Sequence, residues 1–169
     1  MKVLKFFVLF AFAATIVSCS NDDGPAPVTF EFNKANLLGN YQLESLQSKE
    51  TKTQNVNGFD VTTVTEKLAS TIDFSFEFSS DDQVTLNGNY VIGETKTQGT
   101  QQTDTTYIVN VNLLETPYSI NEEDKTLTLD NKTYEVVNFS ENGFNLKIHL
   151  EETLQNGTRV YTEELRLNK

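Results

Sequence analysis

From Gly39 onward the chain alternates between apolar and polar side chains, and turn residues interrupt the alternation at short intervals. Ile72, Phe74, Phe76 and Phe78 share one parity, with Asp73, Ser75, Glu77 and Ser79 on the other. Phe144, Leu146, Ile148 and Leu150 repeat the pattern against Asn145, Lys147, His149 and Glu151, and Tyr107, Val109, Val111 and Leu113 do so again. Successive side chains of a strand point to opposite faces, so this spacing gives each strand one dry and one wet face. That is the signature of antiparallel sheet. No run with apolar spacing of three and four is long enough for a sustained helix. One short helical turn is expected ahead of the strands, capped by Asn33, running through Leu37-Leu38 and stopped by Gly39.

The turn chemistry agrees. Asn57-Gly58, Asn87-Gly88, Asn142-Gly143 and Asn156-Gly157 are Asn-Gly pairs, whose tolerance of positive φ makes them strong hairpin signals. Asp130-Asn131 adds a fifth expected turn. Strands are expected at 40–52, 60–69, 71–79, 83–92, 105–114, 117–121, 125–129, 132–139, 143–154 and 158–168. Strands joined by short turns form a meander, and about eight to ten of them suit a closed barrel or a sandwich; closure is favoured because it removes exposed edges. Segments 47–57 and 93–106 are too polar to bury and too long for tight turns. They are expected as solvated far ends of hairpins, projecting beyond the barrel as functional loops or as disordered ones.

The start of the chain reads differently. Lys2 and Lys5 precede the apolar run Phe6 to Ala14, which is shorter than the roughly 20 residues a membrane span needs. A basic start, a short apolar core and small residues before a cut site form a secretory leader over residues 1–18. Ile16-Val17-Ser18-Cys19 resembles a bacterial lipobox, which implies cleavage before Cys19 and acylation of that residue. An ordinary leader with an incidental cysteine is the alternative. The mature chain would hold 151 residues with 11 basic and 24 acidic side chains, a formal charge of −13. Such a chain has no electrostatic footprint for nucleic acid or anionic lipid, so membrane attachment would rest on the acyl chains. Residues 19–35 read as a tether. Within it Ser20-Asn21-Asp22-Asp23-Gly24 resembles the export signal of surface-displayed lipoproteins of the Bacteroidetes, and Gly24-Pro25-Ala26-Pro27 forms a stiff spacer. An outer-membrane, surface-exposed lipoprotein is therefore expected, with a periplasm-facing domain as the alternative. Cys19 is the only cysteine, so no disulfide is available.

Residues that carry chemistry are sparse. His149 is the only histidine and falls on a polar face, so a transition-metal site would rest largely on carboxylates. Asp81-Asp82, Glu122-Glu123-Asp124, Glu151-Glu152 and Glu163-Glu164 lack the spacing of a calcium loop and read as solvated acids. No nucleophile elbow, phosphate loop, zinc helix or dinucleotide fingerprint is present, and neither a metal, a cofactor nor catalysis is expected. Asp104-Thr105-Thr106 resembles a Bacteroidetes O-glycosylation sequon that would place a glycan on Thr105. In the last strand Tyr161, Glu163, Leu165 and Leu167 share one face. An inward Glu163 would need hydrogen-bond partners or a cation. A bulge, or a position at the rim, is the alternative reading.

Leu37-Leu38-Gly39-Asn40-Tyr41-Gln42-Leu43-Glu44-Ser45 resembles the opening of lipocalin-like domains, where a short helical turn leads into a first strand beginning Gly-x-Trp. The same opening recurs in lipocalin-like lipoproteins of the Bacteroidetes. The resemblance implies an all-β, antiparallel, lipocalin-like barrel over residues 36–169. It also implies that Arg166 of the last strand stacks on Tyr41, which stands where the tryptophan would be. The expected function is a non-catalytic binding module for a small, partly apolar ligand. Phe74, Phe76, Phe78, Tyr107, Val109, Phe144, Leu146 and Glu163 are the candidate ligand-facing residues. The alternative is a surface interaction module with a filled core, contacting partners through its long polar hairpin ends.

Overall fold

The computed structural model describes residues 30–169. The leader, Cys19 and the tether as far as residue 29 lie outside the described residues. A single helical turn, α1 (Lys34–Leu37), leads into eight strands: β1 (Gly39–Val56), β2 (Phe59–Phe78), β3 (Gln83–Gln98), β4 (Gln101–Asn121), β5 (Thr126–Leu129), β6 (Lys132–Ser140), β7 (Gly143–Leu154) and β8 (Gly157–Asn168). They run as an antiparallel meander, and β1 pairs back onto β8 to close the barrel. The all-β architecture expected from the alternation is what forms. Asn33 caps α1 by accepting a hydrogen bond from the Asn36 N–H at 2.9 Å, as its position suggested.

Ten expected segments become eight strands because two pairs fuse. Residues 60–69 and 71–79 are one strand, β2, bent at Thr71, where φ is +48° and pairing with β3 slips between Ser70 and Asp73. Residues 105–114 and 117–121 are likewise one strand, β4. There Asn112 and Leu113 together face only Asn87, and this bulge turns Leu113 out of the inward row to 67 % exposure. The polar segments 47–57 and 93–106 are ladder-paired strand out to their tips.

The Asn-Gly pairs divide by role. Asn57-Gly58 makes the β1–β2 turn with φ of 54° and 87°, and Asp130-Asn131 makes the β5–β6 turn with 44° and 64°, both as expected. Asn142-Gly143 and Asn156-Gly157 lie at turns, but each glycine already belongs to the following strand. Asn87-Gly88 is not a turn at all. Gly88 sits inside β3 at φ +120°, paired with Phe74 of β2, where a Cβ would lie 2.0 Å from the Asp73 carbonyl oxygen. The real β3–β4 turn uses Gly99, at φ +60°.

The lower part of the barrel is filled. Tyr41, Phe78, Val84, Leu127, Phe144, Leu146 and Leu167 are each exposed by 2 % or less. Tyr41 packs edge-on against Phe144 and Phe78 at 5.0 and 5.8 Å, and Tyr118 stands against Phe78 at 5.2 Å. Leu37 and Phe32 plug the lower end, and Phe30 stacks on Phe139 at 5.3 Å. The packed unit therefore begins ahead of the expected boundary at residue 36, because Phe32 supplies core surface. Burying each such side chain contributes roughly 1.5–3 kcal/mol.

The upper part is only partly walled. β4 pairs with β5 only over Tyr118–Asn121, and β6 pairs with β7 no higher than Glu135 against Lys147. Above those points six strands continue in the order β4-β3-β2-β1-β8-β7. A window is left between residues 101–116 of β4 and 148–154 of β7, with the β5–β6 turn as its sill.

Candidate functional site

Above the aromatic core lies a cavity of about 610 Å³. Tyr90 forms part of its floor, standing on Phe74 at 5.2 Å, and Leu46, Ile92, Tyr107, Val109, Leu150 and Tyr161 supply apolar and aromatic wall. Among the lining residues are four cations, Lys67, Lys96, Lys132 and Arg159, and three carboxylates, Glu50, Glu94 and Glu163. The local balance is one positive charge, in a chain whose formal charge is −11. A larger depression of about 920 Å³ has residues of both wall faces in its lining: outward Gln47, Lys49, Glu66, His149 and Glu164, inward Ser48, Lys67, Leu150 and Glu163. No single wall encloses it, so the smaller, interior cavity is the better ligand chamber.

Glu163 is the centre of the chamber's polar network. The β8 alternation places it inward, opposite Ser48 of β1 and Ile148 of β7, with its side chain only 12 % exposed. One carboxylate oxygen accepts a hydrogen bond from the Tyr134 hydroxyl at 2.6 Å and lies 3.4 Å from the Lys132 ammonium. The other accepts from the Tyr161 hydroxyl. Partners from β6 and β8 thus satisfy the acid that sequence reasoning singled out. Burial, and then the Glu163 carboxylate, hold the Tyr134 and Tyr161 hydroxyls protonated well above the usual phenol range.

Two further pairs stand higher in the chamber. Arg159 donates to Glu50 at 2.6 Å and to Glu152 at 3.1 Å, and its guanidinium lies 5.4 Å from the centre of the Tyr161 ring. Lys67 pairs with Glu94 at 3.1 Å and approaches the Tyr107 hydroxyl at 3.4 Å. Burial works against the Lys67 charge, but Glu94 and Tyr107 outweigh it and hold the ammonium above its ordinary range. Lys132 reaches in from the sill of the window, 5.5 Å from the Tyr161 ring centre. No ion pair within 4 Å engages Lys96 among the described residues.

The structure separates the candidate residues into two groups. Tyr107, Val109 and Glu163 line the chamber. Phe74, Phe76, Phe78, Phe144 and Leu146 do not; they point inward as expected, but lower down, where they touch one another and leave no room. Alternation sets which way a side chain faces, whereas its height along the barrel decides whether it meets protein or space. The expected stack of Arg166 on Tyr41 is absent. Leu165 and Leu167 point inward, so Arg166 between them points outward and pairs with Glu44 at 2.8 Å, while Lys169 lies 5.2 Å from the Tyr41 ring centre. Sequence reasoning missed Tyr134, Lys132 and Arg159, whose roles depend on pairing between distant strands.

The remaining features are peripheral. His149 is exposed on the outer wall and meets Glu151 at 3.0 Å. Asp82 binds Lys34 at 2.6 Å and Asp81 accepts from Ser79, which holds the Asp81 carboxyl below its ordinary range. Asn121 organises the Glu122 to Asp124 turn through the Glu123 and Asp124 N–H groups at 3.0 and 3.1 Å. Among the described residues no cluster of three His, Cys, Asp or Glu side chains could hold a metal, and no helix is long and apolar enough to cross a membrane. Thr105 is exposed, in β4 rather than in a loop. No family model, curated protein or solved structure matches the chain.

Proposed function

We propose that the protein is a non-catalytic binding module whose upper barrel takes one small, partly apolar ligand with a polar or acidic head. The supporting observation is the interior chamber of about 610 Å³ above a solid core, with aromatic walls, cations in slight excess and a side window. Tyr107, Tyr90, Ile92 and Leu150 would hold the apolar part, and Lys96 would meet the head. The carboxylates are committed to internal partners, which suits a site that holds a molecule rather than transforms it. In this reading Cys19 carries the lipid that fixes the module to the outer membrane, with the barrel displayed at the cell surface. Native mass spectrometry of the lipidated protein from a bacterial host tests it. A stoichiometric added mass that is lost on unfolding, and that Ile92→Trp abolishes by filling the chamber, is expected. A bare mass for both proteins, unchanged after incubation with a mixture of long-chain carboxylic acids and aromatic acids, would refute it.

A further inference from the structure

The strongest unused feature is the edge of β4. Residues 101–116 bond to β3 on one side and pair with no strand on the other. A row of backbone N–H and C=O groups facing outward is completed by another strand. Edge strands are ordinarily guarded by lysine, proline or inward charge. The opposite lip of the window is guarded in this way: β7 carries Glu151 and Glu152. β4 is not. Between residues 101 and 114 it has no proline, lysine or arginine and one acid, Asp104. Its middle is instead Tyr107-Ile108-Val109, with Ile108 64 % exposed on the outer face.

We propose that this edge pairs antiparallel with the same edge of a second copy, about a two-fold axis at Ile108. The β4 sequence is self-complementary in that register. Ile108 meets Ile108, Tyr107 meets Val109, Thr106 meets Asn110, and Thr105 meets Val111. At the centre apolar residues oppose apolar residues, no charges are opposed over residues 105–111, and that stretch ends before the Asn112–Leu113 bulge. Whole-molecule repulsion between two chains of charge −11 acts at long range, so added salt strengthens the association. If the chain is lipid-anchored, the antiparallel arrangement lays the two barrels along the membrane with their tethers at opposite ends.

In-cell cross-linking of the full chain in a Gram-negative host tests the register. Opposed Cα atoms in an antiparallel ladder lie about 4.5–5.5 Å apart, within the span of about 4.4–6.8 Å that a disulfide bridges, so Ile108→Cys can cross-link to its copy. Two Asn110→Cys side chains would sit about 14 Å apart along the strands, out of reach. The expected result is a reducible dimer at least ten times more abundant for Ile108→Cys than for Asn110→Cys. Sedimentation of the purified protein in detergent, with and without Ile108→Lys, gives the second readout. A dimer for the natural chain and a monomer for the variant, with unchanged far-ultraviolet circular dichroism, supports the proposal. Four outcomes overturn it: a natural chain that stays monomeric, a variant that stays dimeric, equal cross-linking at both positions, and cross-linking of Ile108→Cys only to a different protein.

Discussion

Tyr134→Phe removes one oxygen atom and nothing else, so it isolates the bond that holds Glu163 in place. The hydroxyl donates to the carboxylate at 2.6 Å, from a tyrosine that is 5 % exposed to an acid whose side chain is 12 % exposed. Water has little access to replace the lost donor, so the cost belongs to the class of hydrogen bonds to charged groups, about 1.5–3 kcal/mol. Lys132 at 3.4 Å and the Tyr161 hydroxyl remain as partners, which places the expected loss near the middle of that range, about 2 kcal/mol. With a urea m-value of roughly 2 kcal/mol/M the midpoint falls by about 1 M. Urea titration followed by far-ultraviolet circular dichroism, which the lack of tryptophan does not affect, reads the change. Glu163→Gln closes a double-mutant cycle, and a coupling of about 1 kcal/mol or more is expected because the two side chains touch. A loss under about 0.5 kcal/mol for Tyr134→Phe, with no coupling to Glu163→Gln, would show that solvent reaches the carboxylate and that the network does not order the chamber.

Other perturbations probe the remaining steps. Burial pushes the Tyr41 hydroxyl up to about 12, and Tyr134 and Tyr161 are raised further, so these groups bind protons more tightly in the folded chain than in the unfolded one. Their stabilisation is complete below the ordinary phenol pKa of about 10 and declines as pH rises from there through the folded values; phenolate absorbance should therefore show them still protonated above pH 10 until the chain unfolds. Phe144→Ala should cost about 3–5 kcal/mol in chemical denaturation because it empties the solid lower core, whereas Leu150→Ala, on the rim at 39 % exposure, should cost under about 1 kcal/mol and weaken ligand retention instead. Gly88→Ala drives a Cβ to within 2.0 Å of the Asp73 oxygen at a φ of +120°, and a loss of at least about 2 kcal/mol, seen as a fall in thermal midpoint, is expected. Cys19→Ala should release the protein from the membrane fraction and end its metabolic labelling with an alkynyl fatty acid.

What was legible in the sequence was direction, and what was hidden was height. The parity of Phe74, Phe76, Phe78, Phe144 and Leu146 gave their inward orientation correctly, because period two is a local property of extended backbone. Their depth depends on where the strands are staggered around the ring, which only the pairing register fixes. The same gap explains Arg166. Its neighbours Leu165 and Leu167 alternate inward, so the residue between them had to face out, and the family expectation of a stack on Tyr41 overrode that local signal. Strand fusion at Thr71 and across Glu115-Thr116 was likewise invisible, because a stretch that bends or turns polar while keeping its ladder looks in sequence like a turn.

Glu163 shows why the site was half visible. An acid on an apolar parity row is a local contradiction, and such contradictions gather where a fold serves something other than stability. The sequence exposes the contradiction but not its resolution, since Tyr134 lies 29 residues away and Glu50, which engages Arg159, lies 109 residues from it. The two ends of the barrel then follow one logic. Below, the inward side chains are apolar or aromatic, with Thr116 the one buried polar residue among the described residues, and the space closes. Above, β5 and β6 are too short to continue the wall, and the inward rows change to Lys67, Lys96, Glu50, Arg159 and Glu163, residues that cannot fill space without partners. A chain needing only a stable barrel would lengthen β5 and β6 and carry the core upward. Here the upper strands run on without them, leaving a charged, tyrosine-lined chamber and one unguarded edge side by side. Ligand entry through that window and strand pairing along its lip would compete for the same opening.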